Sequence, residues 1–336
     1  MNLLLNSDRV YSLSEAMDYC RRVVRCNYEN FSVVSFLLPR ELRVPMEVVY
    51  AYCRYSDDLG DNNDGSQIAR EMALEKLNQW EHELNLCFEY ARQTSDSTAK
   101  LSSDNLPMHP IFVALIDVVR QFNLPKEPFT NLLVAFKQDQ TKQHYETMDD
   151  LLGYCCNSAD PVGRIVLHLA FAVAARRIRQ SKYAQQNFPT IDLGNKIEID
   201  RQLSEWSDSI CTGLQLANFW QDIARDFAIG RCYIPNDIAS KYGVNLERLE
   251  WNQEFQSMMC ELVADARERI LYGVPLLDKV PSLIKFDIAL IIRGGLAILD
   301  AVKNINYNVL KQRPTVSRLK KFNIAFTTLL GKKIVQ

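Results

Sequence analysis

Gln215-Leu216-Ala217-Asn218-Phe219-Trp220-Gln221-Asp222-Ile223-Ala224-Arg225-Asp226 repeats an oxygen ligand every four residues, at Asn218, Asp222 and Asp226, with large apolar residues between. Period-four spacing puts the three on one side of an α-helix. Followed backwards, the line passes through Leu214 and Ile210. A face that turns from apolar to acidic suits a helix lining a cavity that is greasy at one end and anionic at its mouth, with Phe219, Trp220, Ile223 and Phe227 packing beside it. The plainer reading is an exposed acidic stripe.

Working outward, the same helical period recurs near 12–26, 45–60, 68–92, 110–122, 126–140, 148–178, 200–228, 252–280 and 286–310, and strict alternation is rare. An all-α fold is expected. Pro45, Pro125, Pro128 and Pro161 are read as helix starts, and Ser12, Asp149 and Ser204 as caps. Two polar stretches, Thr94 to Pro110 and Gln180 to Lys196, read as surface loops inside one bundle, so residues 1–336 are expected to form a single domain with a basic tail over about 315–336.

The 39 Lys and Arg nearly cancel the 41 Asp and Glu, leaving a net charge of −2 that excludes a general nucleic-acid binder. The nine cysteines include no Cys-x-x-Cys pair, and the N-terminus has only three consecutive apolar residues before Asp8. Reduced, mostly buried thiols and a cytoplasmic location are expected. Lys285, Asp287 and Arg293 interrupt the most apolar stretch, Leu283 to Leu299, so no membrane-spanning helix is expected.

A second acidic face lies in Tyr50-Ala51-Tyr52-Cys53-Arg54-Tyr55-Ser56-Asp57-Asp58-Leu59-Gly60-Asp61, where Tyr50, Arg54, Asp57 and Asp61 share one helical side. Carboxylates near a helix C-terminus oppose the macrodipole and call for a cation. Alone this could be a solvated helix end running into a polar loop. Two such sets brought together make a hard-oxygen site for Mg²⁺, which binds through few carboxylates plus substrate phosphate, so a diphosphate bridging both clusters is expected. Arg54, Arg225 and Arg231 are candidate phosphate contacts, each of which also reads as a surface ion-pair partner.

Both acidic motifs, with Gly230-Arg231-Cys232-Tyr233-Ile234-Pro235 just beyond the second, resemble the squalene/phytoene synthase family of isoprenoid enzymes over about residues 27–310. The resemblance implies a single terpenoid-synthase helical bundle with three Mg²⁺ ions and diphosphate at the mouth of a central apolar cavity. Glu29-Asn30-Phe31-Ser32-Val33, Asn218-Phe219-Trp220-Gln221-Asp222 and Asn157-Ser158-Ala159-Asp160-Pro161-Val162-Gly163 are similar to the bacterial hydroxysqualene synthase branch of hopanoid pathways. Squalene and phytoene synthases usually carry Arg in place of Gln221, and squalene synthases a Tyr in place of Asn157.

That likeness implies an enzyme converting presqualene diphosphate and water to hydroxysqualene and diphosphate, without NADPH. Asp57, Asp61, Asn218, Asp222 and Asp226 would hold metal. Arg54, Asp57, Asp61, Asp222 and Asp226 would be catalytic, and Asn30, Phe31, Tyr50, Arg54, Asp58, Tyr154, Asn157, Arg225, Arg231 and Tyr233 would meet the substrate. An implied partner is a pathway synthase, and Arg318, Lys320, Lys321, Lys332 and Lys333 around Phe322 to Leu330 read as peripheral contact with the inner membrane face or as a solvated basic tail packed on the bundle. Alternatives are head-to-head condensation to presqualene diphosphate, squalene or phytoene, and a non-catalytic helical assembly factor.

The remaining candidates read quietly. His168 is expected to be a satisfied buried histidine, His144 is weak evidence for any site, and Cys155 and Cys156 are packing residues without a base. Tyr154 is read as opening a helix on which Ser158 and Val162 follow, with cavity lining and ordinary core packing both open. Asn157 could hold a water by the cavity or cap a neighbouring helix.

Overall fold

The computed structural model describes residues 10–26, 38–61, 66–93, 108–180, 197–331 and 334, which form α-helices and one 3-10 segment with no strand among them. The all-α expectation holds. The chain divides into two compact groups of helices, one within Met1–Gln140 and Ile165–Glu198, the other within Thr141–Arg164 and Ile199–Gln336.

The first group contains α1 (Leu13–Cys26), α2 (Arg40–Asp61), α3 (Gln67–Gln93), α4 (Pro110–Phe122), α5 (Glu127–Gln138) and residues 165–180 of α7 (Asp160–Gln180). Ser12 caps α1 as expected, accepting from Glu15 N at 3.3 Å while the Glu15 carboxylate takes the Ser12 N–H at 2.9 Å. Pro45 lies inside α2 rather than at its start, because Pro39 O accepts from Leu42 and Arg43 and begins the helix a turn earlier. On the inner side of α2, Tyr52 OH donates to Phe129 O at 3.0 Å, and the Trp80 indole donates to Ser56 Oγ at 2.8 Å. Residues 52 and 56 are about 40° apart on the helix, so Arg54, Asp57 and Asp61 are turned to the other side.

His109 joins these elements and no sequence signal marked it. Its Nδ1 accepts from Ile111 N at 3.2 Å at the start of α4, and its ring lies 4.4 Å from Tyr55 and 4.8 Å from Trp80. Burial pulls its pKa down to about 3. The folded protein therefore refuses a proton that the unfolded chain accepts, so stability present above about pH 6.5 is lost as pH falls toward 3. His109→Asn keeps an N-cap acceptor but removes the titration. Urea unfolding of this variant should show a flatter loss of stability between pH 6.5 and pH 4 than wild type, and an unchanged slope would contradict the assignment.

The second group contains α6 (Met148–Ser158), the first residues of α7, α8 (Arg201–Ala228), α9 (Asn236–Tyr242), α10 (Gln253–Tyr272), a 3-10 segment (Val274–Asp278), α11 (Ser282–Asn304) and α12 (Arg318–Leu329). The helix expected over 148–178 is two helices. Pro161 supplies no N–H and disfavours helical geometry before it, and the α6 ladder ends at Ala159 N to Cys155 O. The helix expected over 252–280 likewise stops at Gly273, before Pro275. Thr147 rather than Asp149 caps α6, accepting from Asp150 N, and Asp200 rather than Ser204 caps α8, accepting from Gln202 N. Glycine lets α8 pack closely on α10: a Cβ at Gly213 would stand 2.8 Å from Ala266 O.

Both polar stretches read as loops fall mainly outside the described residues. The described stretch long and apolar enough to span a membrane is 148–180 rather than 283–299, and its most apolar window is 72% buried in the protein. All nine thiols are free, but only Cys20, Cys87, Cys155 and Cys232 are buried, while Cys26, Cys156 and Cys260 are exposed. His168 is buried, with Nε2 3.0 Å from Phe122 O.

Candidate active site

In the first group the acidic face ends α2. Arg54 donates to Asp57 at 3.2 Å and to Asp58 at 2.5 Å, so the expected cation comes from the same helix, one turn back. This charge set sits at the helix C-terminus, where the macrodipole disfavours carboxylates. Asp61 is the exposed last residue of α2, and half-buried Tyr50 lies one turn before Arg54, its pKa raised by burial. Asn30 and Phe31 lie outside the described residues.

In the second group Asn218, Asp222 and Asp226 lie on successive turns of α8. Burial and the neighbouring Asp222 raise Asp226 to about 7, while Arg231, Arg225 and Arg313 oppose the rise. This anionic crowding fits an added cation. Ile210 and Leu214 lie on the two turns before Asn218, on the line that the acidic residues continue. Their side chains pack where Gly273 and Gly295 leave room, so close that a Cβ at either glycine would collide with them. Phe219, Trp220 and Ile223 are buried, whereas Phe227 is exposed.

Sequence reasoning missed Arg313. Its guanidinium grips Asp222 with Nε on Oδ1 and Nη2 on Oδ2, the latter at 2.9 Å, and reaches Gln221 Oε1 at 3.3 Å. Gln221 Nε2 in turn donates to Pro314 O at 2.6 Å. A glutamine at 221 thus accepts from Arg313 and donates to the backbone of the next residue, while an arginine there would set a second cation beside the first. Arg225 is more remote, largely exposed and 3.6 Å from Asp222.

The turn after α8 brings Arg231 back toward Asp226. Gly230 adopts φ +78°, Gly230 N bonds to Phe227 O, and Arg231 N bonds to Asp226 O at 2.9 Å, a Schellman ending that suits glycine. Beyond it Cys232 N donates to Gln143 O and Asn236 N to Tyr145 O, seating Tyr233 in an aromatic cluster. Tyr233 stacks on Phe219 at 3.9 Å, with Tyr154 6.1 Å and Tyr145 5.9 Å away. Tyr154 is therefore a buried member of this cluster in the middle of α6, not the opening of a helix. A narrow cleft beside the cluster is lined by Phe219, Ile223, Asp226, Arg231 and Tyr233.

Asn157 lies in the last turn of α6, its Nδ2 pointing to Gly153 O at 3.5 Å, and among the described residues it caps no neighbouring helix. Asp160 just beyond is buried, accepts from Thr212 at 2.8 Å, and is raised to about 7 chiefly by burial. His144 is exposed. Among the described residues no three His, Cys, Asp or Glu side chains form a ready metal cluster.

The squalene/phytoene synthase family model matches residues 24–320. The crystal structure of squalene synthase HpnC from Alicyclobacillus acidocaldarius is 33% identical, covers 88% of this chain and 96% of its own, and superposes with a TM-score of 0.70. A hydroxysqualene synthase of Sinorhizobium fredii is 27% identical over 82% of this chain and 80% of its own, and a phytoene synthase of Arthrospira platensis is 22% identical over 92% and 90%. The match extends over elements of both helical groups, the two acidic motifs included, and on that extent the chain belongs to the squalene/phytoene synthase family.

Proposed function

We propose that this protein is a hydroxysqualene synthase acting on presqualene diphosphate. The observation that carries a diphosphate substrate is the α8 face, where Asn218, Asp222 and Asp226 meet Arg313, Arg225 and Arg231. The branch reading is supported by the 27% identity to a hydroxysqualene synthase, together with Gln221 and Asn157 in place of the Arg and Tyr of other branches.

The oxygen donors suit Mg²⁺, which Asp57 and Asp61 in the first group, and Asn218, Asp222 and Asp226 in the second, would hold. When bound, the metal supplies a Lewis acid for charge on the leaving diphosphate. Arg54 in the first group, and Arg225, Arg231 and Arg313 in the second, would donate N–H groups to phosphate oxygens. Cleavage of the C1–O bond leaves the electron pair on diphosphate and a carbocation on the C30 chain. Tyr50, and the cluster of Tyr154 and Tyr233, would border the cation, an aromatic face stabilising a desolvated cation by about 2 kcal/mol. Apolar walls exclude water until rearrangement, after which water forms the C–O bond and gives up a proton. Water ends the reaction, so no hydride donor is needed.

Arg313 competes with metal for Asp222 in this arrangement. Arg313→Gln is expected to bind Mn²⁺, read by electron paramagnetic resonance without substrate, about five- to tenfold more tightly than wild type. Weaker binding would mean that Arg313 organises Asp222 for metal. The function itself is tested by product analysis after separate incubation with farnesyl diphosphate and presqualene diphosphate, each with and without NADPH. Hydroxysqualene from presqualene diphosphate, unchanged by NADPH, is expected. Presqualene diphosphate, squalene or phytoene made from a linear prenyl diphosphate would move the assignment to the condensing enzymes.

A further inference from the structure

Helix α12 is amphipathic the wrong way round for a core helix. Leu319, Phe322, Phe326, Leu329 and Leu330 fall within about 100° of one another around the axis, and all five are exposed, Leu319 and Phe322 to 84% and 72%. The side turned inward carries Thr328, which is buried and donates to Ile324 O. The helix is nonetheless built to stay: Ser317 caps it by accepting from Lys320 N at 3.3 Å, and Lys320 Nζ reaches Asp300 of α11 at 3.4 Å. Its rings at 322 and 326 lie nearly parallel, 6.4 Å apart. A contiguous apolar stripe held rigidly toward solvent marks a docking surface.

Charge identifies the occupant. Residues 301–336 hold eight Lys and Arg and no Asp or Glu, in a chain whose net charge is −2. Arg318 and Lys321 are exposed beside the stripe, and Lys332 and Lys333 follow it in sequence. Apolar side chains flanked by cations match an interface of acyl chains beneath anionic headgroups. Two copies meeting stripe to stripe would instead bring cation against cation. We propose that α12 seats the protein on an anionic lipid surface, with the five apolar side chains in the headgroup–acyl boundary and Arg318 and Lys321 on the phosphates. This surface binding is independent of the catalytic reading.

The test is flotation of the full chain, without substrate, on vesicles of phosphatidylcholine alone and of phosphatidylcholine with about a third phosphatidylglycerol. Wild type is expected to float with the anionic vesicles only, and less at high salt. Phe322→Ser with Phe326→Ser should lower partitioning on the order of tenfold or more, and Arg318→Gln with Lys321→Gln about fivefold per charge. These side chains already face solvent, so melting should match wild type. As a second readout, Phe322→Trp should be quenched by brominated lipid. Equal flotation of wild type and the double serine variant, or absence of quenching, would overturn the proposal. So would a wild-type dimer that the serine variant dissociates and that does not float, since a second copy would then cover the stripe.

Discussion

Asp222→Asn is expected to lower turnover of presqualene diphosphate on the order of 10³-fold, with a melting temperature within about 3 °C of wild type. Asp222 is gripped through both oxygens by Arg313, and its charge helps raise Asp226 to about 7. The asparagine variant loses one prong of that grip but relieves repulsion one turn along α8, so the two effects on folding offset each other. Function has no such offset, because a neutral amide is a poor ligand for a hard cation and leaves the departing diphosphate less neutralised. Asp57→Asn should behave similarly, since Arg54 keeps Asp58 as a partner at 2.5 Å. Turnover measured beside thermal melting decides this, and near-normal turnover at limiting Mg²⁺ would remove the metal assignment.

Elements with a long apolar face were legible in the sequence for a plain reason. α4 is apolar and buried nearly all the way round, and in α8 large apolar residues such as Leu216, Phe219, Trp220 and Ile223 are buried, so sequence pattern and packing agree. Errors came where local chemistry competes with period. Pro161 splits one apolar run into α6 and α7, Gly273 ends another, and Pro45 sits in the second turn of a helix that begins at Arg40. The short helix α9 and the outward-facing α12 bury too little of a regular face to announce themselves.

The site divides along the same line. Asp57, Asp61, Asn218, Asp222 and Asp226 are spaced by helix geometry and could be found by counting. Arg313 could not, because it meets Asp222 across 91 residues through an irregular segment after α11. Tertiary contact alone makes it part of the acidic face.

The second large effect concerns how the reaction ends. If water captures the cation, every product molecule carries one solvent oxygen and NADPH changes nothing. Asn157, at the end of α6, can donate and accept hydrogen bonds to such a water, whereas a phenol at this position would fill that space with a ring. Asn157→Tyr should therefore slow alcohol formation while leaving diphosphate release intact, because the proposed function assigns ionisation to the acidic faces and their arginines. The most direct measurement is turnover of presqualene diphosphate by the wild-type protein in ¹⁸O-water with NADPH present, followed by mass analysis of the C30 product. The account predicts an alcohol bearing one ¹⁸O atom, and squalene free of label and formed only with NADPH would contradict it.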